Sequence, residues 1–127
     1  MNASVAYAPQ RRQFERPIGS FQLVQELIAY MAVDLDAARL LVYRAGSLKN
    51  SGIENTLETS MAKWFASEAA VRASDQAIQV HGAYGYSNEY PLERYYRDAK
   101  VATIYEGTSQ IHKIIIGSHL LVIKAFV

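Results

Sequence analysis

Apolar residues recur three and four positions apart along two long stretches, and these set the architecture. The first stripe is Val24, Leu27, Ile28, Met31, Leu35, Ala38, Leu41 and Val42, the pattern of one buried helical face. Pro17 and Gly19 mark a turn ahead of it, and Ser20 is the expected cap. Gly52 closes that region. The second stripe is Leu57, Met61, Trp64, Phe65, Val71 and Ile78. Asn55 opens it with Glu58 three residues on, which resembles a capping box. Glu68 and Asp75 interrupt the stripe, and Glu68 stands four residues before Arg72, the spacing of a solvated helix pair. Ala66, Ala69, Ala70 and Ala73 are small enough to let another helix approach closely.

Shorter elements fill the rest. Residues 3 to 8 read as the tail of a helix that Pro9 limits. His81 to Asn88 form a glycine-containing loop, and Pro91 suits the first turn of a short helix through Tyr96 or Asp98. Lys100 to Tyr105 is a connection. A last helix runs from about Thr108 to Ala125, with Ile111, Ile114, Ile115, His119 or Leu120, and Ile123 inward. Val101 to Ile104 is the one strand candidate, and it is short. The expected fold is all-α, an antiparallel four-helix bundle running up-down-up-down, as one domain over residues 1–127.

Composition agrees and removes several function classes. With 50% hydrophobic and 20% charged residues, the chain is an ordinary globular one. A formal net charge of +1 gives no bulk attraction to nucleic acid or anionic lipid. The absence of cysteine excludes disulfide and thiolate chemistry and is compatible with a cytoplasmic protein, which is the expectation. The N-terminus lacks the pattern of a signal peptide, and no apolar run is long enough to span a bilayer.

The stretch Ile104-Tyr105-Glu106-Gly107-Thr108-Ser109-Gln110-Ile111 carries the candidate chemistry. Thr108 or Ser109 can cap the helix that follows, and Gly107 lets the backbone bend. Glu106 is then held at a helix mouth. It is either a positioned general base or a carboxylate that complements the helix dipole. Gly82-Ala83-Tyr84-Gly85 lacks both the spacing and the preceding strand of a dinucleotide fingerprint, so it is a helix cap and tight turn, or a loop bringing amides near a phosphate or ring. His81, His112 and His119 do not form a metal set. Tyr84, Tyr86, Tyr90, Tyr95 and Tyr96 suit a subunit interface, a ligand cleft or a packed loop.

Together the motifs Gln79-Val80-His81-Gly82-Ala83-Tyr84-Gly85-Tyr86, Glu89-Tyr90-Pro91-Leu92-Glu93-Arg94, Arg97-Asp98-Ala99-Lys100 and the Ile104–Ile111 stretch closely resemble the C-terminal domain of the acyl-CoA dehydrogenases. Order and spacing agree from Gln79 to Ile111, and Arg11-Arg12-Gln13-Phe14 with Pro17-Ile18 and Phe21 to Gln25 extends the likeness upstream. The resemblance implies oxidation of the Cα–Cβ bond of an acyl-CoA thioester to the trans-2-enoyl-CoA with FAD. A glutamate abstracts the α-proton, hydride passes to flavin N5, and that glutamate maps onto Glu106. Burial in a dry pocket would strengthen such a base.

The resemblance further implies FAD contacts from Arg11, Phe14, Gln22, Gln79, Gly82, Ala83, Thr108 and Gln110, several of them reaching a neighbouring subunit's cofactor. Gly107 matches a backbone contact near the thioester. It also implies a homo-oligomer, dimer or tetramer, with electron-transfer flavoprotein as acceptor, while the charge, the apolar runs and the histidine spacing give the expectation of no metal, nucleic acid or membrane. Two departures stand out: Glu15 where the family often has glycine or a small polar residue, and Ala83 where many members have a second glycine. The family's N-terminal helical and middle β domains are not represented here, so the isolated domain is expected to be inactive. The rival reading is a non-catalytic oligomerisation or interaction bundle derived from the same family.

Overall fold

The computed structural model describes residues 1–125. Its helices are α1 (Asn2–Tyr7), α2 (Gln22–Asn50), α3 (Thr56–His81), α4 (Ala83–Tyr86), α5 (Leu92–Val101) and α6 (Ser109–Leu121). The all-α expectation holds. One small addition is a hairpin of β1 (Arg12–Gln13) and β2 (Arg16–Pro17), with Arg12 opposite Pro17 and Gln13 opposite Arg16. Two residues per strand are too few for an alternating pattern to show. Among the described residues no helix is long and apolar enough to cross a membrane.

Helix α3 is the hub: α2, α5 and α6 each pack on it. This explains its burial pattern. Its fully buried residues are mostly small (Ser60, Ala62, Ser67, Ala69 and Ala77), while the large members of the expected stripe are half-buried. Helices α2 and α3 run antiparallel, as two ion pairs show: Asp34 meets Arg72, and Arg44 meets Glu58. Met31, Ala77, Val80, Leu92 and Ala8 form the core, with Val24, Leu27, Ile28 and Ile78 packed around it. Removing such side chains from water supplies the main drive to fold.

Several local expectations change. Ser20 does not cap α2: its hydroxyl donates to the Pro17 carbonyl at 2.7 Å, and extended Phe21 holds the cap position. Asn55 sits before α3, but its amide donates to the Ala45 carbonyl at 2.8 Å and ties the two helices together instead. Glu58 answers Arg44, and no capping box forms. Glu68 pairs with Lys113 of α6, not with Arg72, which is taken by Asp34. Helix α5 continues to Val101, past the expected end. Helix α6 stops at Leu121 because Val122 turns left-handed, with φ 57°. Its inward face is Ser109, His112 and Ile116, leaving Ile111, His119, Leu120 and Ile123 exposed. A run of adjacent isoleucines leaves helical phase ambiguous, and here the packing rotates the face.

Candidate functional site

The Glu106 turn joins α5 to α6. Glu106 itself takes a left-handed backbone, φ 53°, and Gly107 follows at φ 90°. Two such residues in succession bend the chain sharply, and the non-glycine one costs about 1–2 kcal/mol. Glycine is favoured at 107 for a second reason. A Cβ added there would stand 3.0 Å from His112 Nε2. Thr108 is the cap: its hydroxyl accepts from the Ile111 amide at 3.3 Å, while Ser109 is buried in the first turn.

The turn's carbonyls are held by side chains. Lys63 Nζ, from α3, donates to the carbonyls of Ala102 at 2.6 Å, Tyr105 at 2.9 Å and Gly107 at 2.9 Å. His112 Nε2 lies 3.3 Å from the Glu106 carbonyl. The Glu106 carboxylate is exposed and has no hydrogen bond or ion pair among the described residues. The dipole of α6 is therefore capped by Thr108, and the carboxylate is left to meet something else.

Beside this turn Glu68, Arg72, Lys100, Thr103, Thr108, Ser109 and Gln110 line a groove of about 470 Å³. Burial opposes charge on Glu68, but Trp64, Ser109 and Lys113 outweigh it and hold the carboxyl below its usual pKa. The Trp64 and Ser109 donors lie beside that carboxylate without closing hydrogen bonds.

The remaining expected residues gather elsewhere. Arg11 is exposed, its guanidinium 5.6 Å from the Tyr84 ring centroid. Phe14 is 79% exposed at the hairpin tip, edge-on to Phe21 next to Gln22. Gln79, Gly82 and Ala83 are exposed where α3 ends, and Gly82 adopts φ 61°, ψ −137°, a region closed to most side chains. Tyr7 of α1 stacks on His81 and brings these two groups to one end. Lys63 and His81 stand about 27 Å apart along α3 at helical rise. The sequence-expected residues thus form two separate clusters, one around Glu106 and one around Gly82. Tyr90 packs with Tyr7, His81 and Tyr84, whereas Tyr86 is 83% exposed, so the tyrosine-rich stretch is part core and part surface. Lys63 and His112 were not expected, because their acceptors are backbone carbonyls and leave no mark in a sequence.

Residues 1–121 match the family described as "Acyl-CoA dehydrogenase, C-terminal domain". An acyl-CoA dehydrogenase of Bacillus subtilis (strain 168) is 52% identical over 118 residues, which are 93% of this chain and 31% of that protein. The caffeyl-CoA reductase–Etf complex subunit CarC of Acetobacterium woodii is 47% identical over 121 residues, covering 95% of this chain and 32% of that one. A structure titled "FAD complex of PigA" superposes with a TM-score of 0.92 at 33% identity, over 95% of this chain and 32% of its own. The chain spans about a third of the length of these relatives.

Proposed function

The chain belongs to the acyl-CoA dehydrogenase family, as its C-terminal domain, and on that premise we propose that it serves FAD-dependent oxidation of an acyl-CoA thioester with Glu106 as the base. The observation that carries the reading is the held turn: a free carboxylate on a backbone fixed by Lys63, His112 and Thr108. Glu106 removes the α-proton of the thioester. Bound FAD would supply the acceptor for the hydride that leaves the β-carbon. The carboxylate is open to solvent on this chain, so water is excluded by whatever packs over the turn.

The donor sets fit a flavin dinucleotide. Thr108 and Gln110 line the groove beside Glu106 and would hold the flavin side. Arg11, with Gln22, Gln79 and the Gly82–Ala83 backbone, offers donors for a pyrophosphate and adenosine, and exposed Phe14 offers an apolar face. The groove of Thr108 and Gln110 abuts Glu68 and Arg72, about 14–20 Å from His81 along α3, and the two donor sets are read as serving different FAD molecules in a homo-oligomer. Electron-transfer flavoprotein as acceptor, a role in fatty-acid oxidation and a cytoplasmic location complete the proposal.

A second reading concerns direction. A relative as similar as 47% is named a caffeyl-CoA reductase subunit. The same carboxylate would then deliver a proton to the α-carbon of an enoyl-CoA. The test is Glu106→Gln in the complete flavin-loaded protein, assayed with acyl-CoA and with enoyl-CoA plus reductant. FAD should stay bound while both directions fall by at least about 10³-fold, which a general base and its positioning together supply. Near-normal turnover of the variant would remove Glu106 from the role. A wild-type protein that binds FAD but acts in neither direction would favour the non-catalytic bundle.

A further inference from the structure

Tyr105, Glu106 and Gly107 present three consecutive carbonyls, and each meets a side chain from outside the turn: Lys63, His112 and Lys63 again. Lys63 Nζ has three N–H donors, and it places them on Ala102, Tyr105 and Gly107. The face of the Tyr105 ring lies 5.5 Å from the same nitrogen. No carboxylate pairs with Lys63 among the described ion pairs. A lysine on a helix surface ordinarily extends to water or to an acid, since its ammonium is strongly hydrated. This one is committed to a left-handed turn in another part of the chain.

The geometry assigns Lys63 the part of a positioning residue for Glu106. Bonds from a cation are about twice as strong as neutral ones, and here they grip the backbone on both sides of the glutamate. They fix where its side chain leaves the chain while leaving the carboxylate free. His112 Nε2 stands 3.3 Å from the middle carbonyl. The assignment rests on reading Glu106 as the base.

The experiment compares Lys63→Met, Lys63→Arg and Glu106→Gln in the complete flavin-loaded protein. Turnover per bound flavin, KM and the isotope effect with α-deuterated acyl-CoA are measured, with the melting temperature followed alongside. Lys63→Met should lower kcat by about 10- to 10²-fold, the scale of a misplaced reacting group. KM should stay within about 2-fold, because substrate binding is not what is lost. The isotope effect should rise as proton abstraction becomes limiting. Lys63→Arg, which keeps a cation with several N–H donors, should recover most of kcat. A merely structural lysine would lower the melting temperature and leave kcat per flavin and the isotope effect unchanged, and that result overturns the assignment. If Glu106→Gln is inactive while Lys63→Met turns over normally, only the role of Lys63 falls. If Glu106→Gln remains active, the base reading falls with it. Should Lys63→Met fail to fold, Lys63→Gln, which keeps a neutral N–H donor, is read in the same way: unchanged kcat per flavin and isotope effect refute the assignment.

Discussion

The imidazole of His81 stacks on the phenol ring of Tyr7, with centroids 4.1 Å and planes 20° apart. The contact pins α1 to the end of α3, one residue before the Gly82 turn. His81 is buried; its Nδ1 donates to the Ala77 carbonyl at 2.8 Å, and Nε2 has no partner among the described residues. Burial disfavours the charged ring and pushes its pKa down, the Ala77 bond opposes this, and the N-terminal amine adds to the lowering.

A pH dependence follows from that environment. The unfolded histidine titrates near 6.5, and the folded one titrates lower. The unfolded chain therefore binds more protons as pH falls, so stability is full above about pH 6.5 and is lost as pH drops through the folded pKa. Melting temperatures measured from about pH 7.5 to 5 should decline. His81→Phe keeps a ring against Tyr7 and should flatten the part of the decline that His81 causes. An unchanged slope in that variant would assign the loss to other groups.

Gly107→Ala should destabilise the protein by more than backbone strain alone. A left-handed conformation costs a non-glycine residue about 1–2 kcal/mol. At Gly107 the new methyl also meets His112 Nε2 at 3.0 Å, whereas at Gly52, φ 71°, it meets nothing within 4 Å. Gly52→Ala is therefore the control. Denaturant unfolding should show the larger loss for Gly107→Ala, and equal losses would mean that His112 yields freely.

The hairpin offers the opposite change. Phe14 and Glu15 occupy its two-residue loop at φ 50° and 64°, both left-handed, as a type I′ turn demands. Glycine at the second position would relieve about 1–2 kcal/mol of strain and lose about 0.4–1 kcal/mol to greater freedom of the unfolded chain. The Arg12 side chain donates to the backbone carbonyl of residue 15, which glycine retains. Glu15→Gly should thus stabilise by up to about 1 kcal/mol in denaturant unfolding. A loss of stability would show that the Glu15 side chain contributes a contact of its own.

The long helices α2 and α3 are legible in the sequence because each buries a face, and spacing by three and four records that directly; the single turn α4 falls where the sequence reads as a glycine-containing loop. The positions of Thr108 and Gly107 were legible too, since capping and sharp bending each favour few residue types. Partners were not. Asn55 and Lys63 reach backbone carbonyls, which every residue carries, so no pattern distinguishes the acceptor. The phase of α6 is ambiguous in the sequence because Ile114, Ile115 and Ile116 are adjacent, and the face is settled by Ser109 and His112 turning inward. The distance between the Gly82 and Glu106 clusters was equally hidden, since residues 79–110 are contiguous in sequence while α5 runs back along α3.

Arg72 illustrates how tertiary contact overrides a local pairing rule. Glu68 is correctly spaced to reach it within α3, yet Arg72 Nε and Nη2 lie 2.9 and 3.1 Å from the two oxygens of Asp34 on α2. A planar fork facing both oxygens is a better match than one flexible contact along the helix. The side chains remain 45% and 20% exposed, so water screens the pair. A double-mutant cycle of Asp34→Asn with Arg72→Gln should give a coupling of at most about 1 kcal/mol, falling in high salt. The cycle of Glu68→Gln with Arg72→Gln should give a smaller value. If the second coupling exceeded the first, Arg72 would be serving α3 rather than joining it to α2, and the antiparallel pairing of these two helices would rest on Arg44–Glu58 and apolar burial instead.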